Sequence, residues 1–205
     1  IGPRRTRTFS MSDNQISPRI YVGIASSGMC HTTFAICLAN LTAYFRFKFL
    51  AENVTRQDMV LDAVYGSNIA ANYNTLVNRA RTWNATHLLT LEDDMVFPHD
   101  ALHALYRRNK EWVGANYPYR VEDNPSFTAV NKQGTSRVIT TDESTGIEEA
   151  AYTGFGCTLF AMSVFEKVSQ PWFLMAWMGN DIYSTQDGWF GNRCRDVGIV
   201  PYVDH

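Results

Sequence analysis

The apolar positions of this chain fall first into an almost continuous run and then into a helical spacing. The run RIYVGIASS, Arg19 to Ser27, is β-rich and ends in small polar residues, which predicts a central strand opening into a loop. In TTFAICLANLTAYF, Phe34, Leu38, Leu41 and Phe45 recur at helical spacing, so a helix follows that loop. FRFKFLAE alternates Phe45, Phe47 and Phe49 against Arg46 and Lys48, the pattern of a strand buried on one face. Ser67 or Asn68 caps a second helix, which runs through IAANYNTLVNRARTW.

A strand from His87 to Leu91 comes next, then an acidic turn, then a helix that begins near Pro98 and Asp100. EWVGANYPYR reads as another strand leaving into a loop. Repeated alternation of strand and helix predicts an α/β fold, a mostly parallel sheet flanked by helices. Ligands of such sheets sit beyond the carboxyl ends of the strands, where the loops after Ala25 and Leu91 lie.

The second half is less regular and predicts a smaller antiparallel portion. SFTAVNKQGTSRVITTD suggests a hairpin around Gln133 and Gly134. EEAAYTGFGCTLFAMSVFEKV passes from an acidic, Gly-containing loop into a helix, and STQDGWFGNRCRDVG is a helix capped by Ser184 or Thr185. IVPYVDH is a closing strand. The expected organisation is a flexible arm over 1–18 and one catalytic domain over 19–205.

Composition narrows the class without naming a function. Of 205 residues, 45% are hydrophobic and 13% aromatic, as in a packed globular protein. A formal net charge of −2 gives no reason to expect nucleic acid as a partner. The basic cluster Arg4, Arg5 and Arg7 lies in the polar arm. No apolar run is long enough for a transmembrane helix, and the N-terminus has no apolar core of a secretory signal. Cys30, Cys37, Cys157 and Cys194 form no Cys-x-x-Cys pair. A reduced, cytoplasmic setting, in the producing or a host cell, is the expectation.

Candidate chemistry concentrates in HLLTLEDDMVFP, where an apolar strand runs into Glu92, Asp93 and Asp94 and then back into Met95, Val96 and Phe97. Two like charges about 4 Å apart repel by roughly 4 kcal/mol at an effective dielectric near 20. Flanking apolar residues anchor this turn in the core, so solvent is not the whole answer. Grouped carboxylate oxygens suit a hard divalent cation, Mg²⁺ or Mn²⁺, which binds substrate phosphates as well. The plain alternative is a solvated strand-to-helix turn.

The stretch LTLEDDMVFPHDAL resembles the Asp-x-Asp nucleotide-sugar and metal site of GT-A glycosyltransferases of the bacterial and viral type. RIYVGIASS resembles their first strand and nucleotide loop, and SNIAANYNTLVNRA the helix before the acidic strand. TGFGCTLFAMSVFEKV with PWF is similar to the acceptor-side loop and helix. TQDGWFGNRCRDVGIVPYVDH resembles the segment in which an acid opens a helix and a final strand carries Val-Asp. The resemblance implies a metal-dependent hexosyltransferase that moves a sugar from a nucleotide diphosphate sugar, most often a UDP-sugar, to a glycan or other hydroxyl acceptor.

It also implies roles. Asp94 is the expected metal ligand, with Asp93 as second ligand or water-mediated contact and Glu92 as donor contact. Glu92-x-Asp94 occupies the two Asp-x-Asp positions. Asp187 is the expected base toward the acceptor hydroxyl, or alternatively only a helix N-terminal acid. Many family members carry Glu-Asp where this chain has Gln186-Asp187. Asp204 or His205 is a candidate further metal ligand.

Ser26 and Ser27 are placed at the base or ribose. Arg120, after Tyr119, is placed at the diphosphate, or in a surface ion pair with Glu122 or Asp123. Glu148, Glu149, Thr153, Gly154 and Gly156 are expected near acceptor and donor sugar. Trp172, Trp177 and Trp189 are candidates for an aromatic floor under a sugar, or for core. His87, His99 and His103 read as structural. Two rivals remain: a nucleotidyltransferase, which should carry a Gly- and Arg/Lys-rich loop after the first strand, and an inactive sugar-nucleotide or glycan-binding module. ASSGMCHTT has one Gly and no Lys or Arg, which speaks against the first.

Overall fold

The computed structural model describes residues 18–51, 58–119, 126–179 and 182–205. Strand β1, Arg19–Ser26, is followed by α1, Thr32–Ala51, and by β2, Asp58–Tyr65. Helix α2 is Ile69–Thr82, β3 is His87–Glu92, α3 is Ala101–Arg107 and β4 is Trp112–Ala115. Then come β5, Val130–Asn131, β6, Ile147–Tyr152, and β7, Cys157–Ala161. The chain closes with α4, Val164–Lys167, β8, Ala176–Gly179, β9, Ile182–Ser184, α5, Gln186–Asp196, and β10, Tyr202–Asp204.

Eight strands form one sheet in the order β2-β1-β3-β7-β4-β10-β6-β5, and β8 with β9 forms a separate hairpin. Strand β1 pairs parallel with both β2 and β3, and β10 pairs parallel with β4. Strand β7 runs antiparallel to both β3 and β4, and β6 antiparallel to β10 and β5. Only β6 and β7 therefore oppose the common direction. This is the expected α/β, Rossmann-like fold, with antiparallel pairing at the β6–β5 edge and also around β7 inside the sheet.

Alternating side chains send two cores to the two faces. Tyr21, Leu88, Trp112 and Phe160 pack with Tyr73 and Leu76 of α2 and Phe190 of α5. Ile20, Leu89, Val113 and Leu159 pack with Phe34, Leu41 and Phe45 of α1 and Leu102 of α3. Helices thus cover both sides, and the carboxyl ends of β1, β3 and β4 meet at one edge. No helix among the described residues is long and apolar enough to cross a membrane.

Two expectations are corrected and one strand was missed. FRFKFLAE is not a strand. Helix α1 continues through it, because Phe45 is 2% exposed while Phe47 is 69% exposed. The buried face follows the helical spacing Phe34–Leu41–Phe45, and the Phe alternation is coincidental. The Gly-containing stretch from Ile147 forms β6 and β7, and the helix after it is only α4. CTLFA is a short, buried and mostly apolar run, and periodicity cannot separate a strand of that length from a helix. Strand β2, at the sheet edge, carries no alternating burial and left no signal in the pattern.

Other expectations are met. Asn68 caps α2, its side chain accepting from Ala71 N at 3.0 Å. Thr185 is the N-cap position of α5. The hairpin turns at Gly134, whose φ of 75° favours glycine, with Val138 N bonded to Ala129 O at 3.0 Å.

Candidate active-site cleft

Strand β3 delivers Glu92 to the carboxyl edge, and a tight turn there bonds Met95 N to Glu92 O at 3.1 Å. The three acids then part company. Glu92 Oε1 accepts from the hydroxyl of Tyr73 on α2 at 3.0 Å. Asp93 points toward the first loop: its Oδ2 accepts from Ser26 Oγ at 2.7 Å and from Ser27 N at 3.0 Å. Its carbonyl accepts from His31 N at 3.1 Å. Ser26 Oγ in turn accepts from Gly28 N at 2.9 Å. Splitting the carboxylates among different hydrogen-bond donors relieves part of the repulsion that their adjacency implies.

Asp94 and Glu92 line a cleft of about 420 Å³. Its other walls come from Tyr117 to Tyr119 after β4, Thr128, Gly154 and Phe155 before β7, and Thr185 to Asp187 at the start of α5. Asp187 is buried, and its Oδ1 accepts from Gly188 N at 2.9 Å and from the Thr185 hydroxyl. The first turn of α5 thus holds a carboxylate where the helix dipole favours one.

Tyr117 is the phenol between the two acidic groups. Burial, then the charge of Glu92, then that of Asp187 push its pKa well up, against the opposing hydrogen bond from Gly156. Its oxygen accepts from Gly156 N at 2.7 Å, leaving a neutral hydroxyl to donate. A Cβ at Gly156 would stand 2.7 Å from that oxygen, and one at Gly154 would collide with it too, so the ring's approach requires both glycines.

Arg137 was missed by sequence reasoning. It lies on the hairpin arm after Gly134, its Nη1 donating to Thr128 O at 2.8 Å and its guanidinium 5.1 Å from the Tyr119 ring centroid. Burial raises the phenols of Tyr119 and Tyr152, Arg137 opposes that rise, and Asp187 adds to it. Arg137 and Asp187 therefore act on the same two rings. An Arg among Ser and Thr in a hairpin carries no local signal of this; its pairing opposite Val130 sets it behind the Thr128 and Tyr119 wall of the cleft, not in the lining.

The other candidates are dispersed. Gly154 lines the cleft. Arg120 lies outside the described residues. Trp172 is corrected to core: it is 1% exposed, its Nε1 donates to Val168 O at 2.8 Å, and no ring face is open to a sugar. Trp177 is exposed on β8, and Trp189 lies under the Arg193 guanidinium on α5; neither lines the cleft. Glu149 is also corrected. It pairs with Lys132 on the exposed side of β6, and that partner lowers its pKa.

His205 lines a second cavity of about 280 Å³, with its Nδ1 2.8 Å from Thr140 Oγ1 and its Nε2 3.4 Å from Glu148. Asp204 is clamped by Arg108 through bonds of 2.6 and 2.9 Å.

Among the described residues no group of three or more His, Cys, Asp or Glu is arranged to cage a metal ion. Glu92 and Asp94 at one cleft instead fit the manner of Mg²⁺ and Mn²⁺, which take one or two carboxylates and fill the remaining positions with water and phosphate oxygens.

No family model matches the chain, and no curated protein matches its sequence. Among solved structures, A197 from STIV is similar over 90% of this chain and 81% of its own, with a TM-score of 0.56 at 14% identity. The 4-diphosphocytidyl-2C-methyl-D-erythritol synthase of Anaerococcus prevotii is similar over 73% of each chain, with a TM-score of 0.39 at 11% identity. A nucleoside-diphosphate-sugar pyrophosphorylase of Vibrio cholerae covers 90% of this chain and 91% of its own, with a TM-score of 0.36 at 11% identity. The first likeness is one of fold, and the other two are looser still.

Proposed function

We propose that this chain is a metal-dependent glycosyltransferase that moves a sugar from a nucleotide diphosphate sugar, with UDP as the nucleotide, to a hydroxyl acceptor. The observation that carries the reading is one cleft lined by Glu92 and Asp94 at the end of β3 and by Asp187 at the start of α5. The described residues lining that cleft include three carboxylates and no Lys or Arg. A diphosphate enters such a site only together with a cation. Asp94, with Glu92 beside it, would hold Mn²⁺ or Mg²⁺, which supplies Lewis-acid stabilisation to the departing diphosphate.

The chain's own groups do the rest. Both hydrogen bonds to the Asp187 carboxylate end on Oδ1, so Oδ2 is the oxygen that takes the acceptor proton. The acceptor oxygen then forms its bond to the anomeric carbon as the bond from that carbon to the phosphate oxygen breaks, and the nucleoside diphosphate leaves. Tyr117 donates its hydroxyl into the cleft and orients the reactants. Asp93 acts through the first loop, holding Ser26 and Ser27 where nucleotide contacts form.

The test is nucleotide release from a panel of nucleotide sugars with Mn²⁺, Mg²⁺ or chelator. The expected outcome is metal-dependent release from one donor, lost in Asp94→Ala. Metal-dependent binding without release from any donor would instead favour a binding module, and absence of nucleotide binding would overturn the reading.

A further inference from the structure

The second cavity shares Met95, Val96 and Tyr117 with the cleft. Val96, 67% exposed, is the ridge between them. The two spaces differ in chemistry. The cleft carries Glu92, Asp94 and Asp187, whereas the side cavity is walled by Phe97, Pro98, Leu105, Ala115 and Cys157.

Its polar end offers a ligand little. Both oxygens of Asp204 are engaged by Arg108, and the His205 ring stands between Thr140 and Glu148. The Asn116 side chain donates to Val138 O and Thr140 Oγ1 and accepts from Ala129 N. Burial pushes the Cys157 thiol up to about 12, so it stays a neutral, apolar wall. A space of about 280 Å³ with satisfied polar groups and apolar walls takes an apolar group the size of a ring.

We infer that this cavity receives the apolar part of the acceptor, so that the acceptor class is an alcohol bearing an aromatic or short aliphatic body. The inference rests on the glycosyltransferase reading for the word acceptor. It rests on the shared ridge for the geometry: a molecule lying across Val96 keeps its hydroxyl end in the cleft with Asp187 and sheds water from its other end.

The test uses 2-phenylethanol as probe and Ala104→Phe as the cavity-filling variant. Ala104 lines the cavity but lies on an exposed position of α3, so the fold tolerates a larger side chain there. Ligand-observed NMR titration should give millimolar binding to the full chain, weakened at least fivefold in Ala104→Phe and unchanged in Ala104→Ser. Thermal melts of both variants check folding. Calorimetry with UDP and Mn²⁺ on the same samples should show no change.

Absence of probe binding, or binding equal in Ala104→Phe and the unsubstituted chain, overturns the inference. UDP binding with no probe binding leaves the donor reading standing alone. Probe binding without UDP binding removes the donor reading and leaves a cavity for an apolar alcohol.

Discussion

The Tyr73 hydroxyl donates to Glu92 Oε1 at 3.0 Å, joining the middle of α2 to the last residue of β3. Burial, and then the Glu92 charge, hold that phenol protonated far above neutral pH. A fully buried donor aimed at an acid of the turn fixes where the carboxylate points. Tyr73→Phe should therefore leave the fold intact and weaken UDP–Mn²⁺ binding, by about 1.5–3 kcal/mol if the full charged hydrogen bond is expressed. Calorimetry on the variant checks this, and unchanged affinity would remove Tyr73 from the site.

Asp187→Asn keeps the shape of the side chain and removes its basicity. Transfer should fall by roughly 10²–10⁴-fold while UDP–Mn²⁺ affinity stays the same. A parallel loss of affinity would make Asp187 a donor ligand and not a base.

Trp172→Ala tests the correction from sugar floor to core. It should lower unfolding free energy by about 3–5 kcal/mol, read from urea melts. Nucleotide affinity, measured well below the melting temperature, should hold. Asn74 fastens this segment to α2, accepting from Trp172 N at 3.0 Å and donating to Phe173 O at 2.7 Å, which gives the buried ring little room to relax.

His87 supplies a pH dependence. Burial lowers its pKa from 6.5 to about 4, so the folded chain keeps it neutral where the unfolded chain protonates it. Its contribution to stability is complete above about pH 6.5 and is lost as pH falls toward 4. Relative to pH 7.5, stability at pH 5 should drop by about 2 kcal/mol from this group, and His87→Gln should flatten that slope in urea melts.

Gly114→Ala tests packing under the site. A Cβ there would stand 2.5 Å from Thr158 Oγ1 and closer still to Thr153 Oγ1. Thr153 Oγ1 also accepts from Trp112 Nε1 at 2.9 Å, so it cannot give way freely. A loss of about 1–3 kcal/mol is expected in chemical denaturation.

Legibility followed the range of the interactions. Strand β1, α2, β3 and α5 were readable because each carries its own signal: an apolar run, Asn68 as cap, a buried strand ending in acids, and an N-terminal Thr185-Gln186-Asp187. Strand β7 was taken for helix because CTLFA is identified only by its neighbours β3 and β4, which lie far away in sequence. The same limit applies to the site. Glu92 and Asp94 could be named from local pattern and Asp187 from the family resemblance, while the orienting contacts of Tyr73 and Tyr117 and the placement of Arg137 exist only after the sheet closes. Tryptophan misled in the opposite direction, since its size suits a sugar platform and a core equally.

The position of β7 has a consequence for the order of assembly. It sits between β3 and β4, yet the ribosome makes it after both. A nascent chain ending before Gly154 has neither the strand that bridges those two nor the Gly154–Gly156 segment that receives Tyr117. Strands β1 to β3 can pair early, but the acidic turn then lacks its wall and exposes the open edge of β3. The cleft is therefore completed late in synthesis, and a fragment cut before β7 would be a sticky half-sheet without a site.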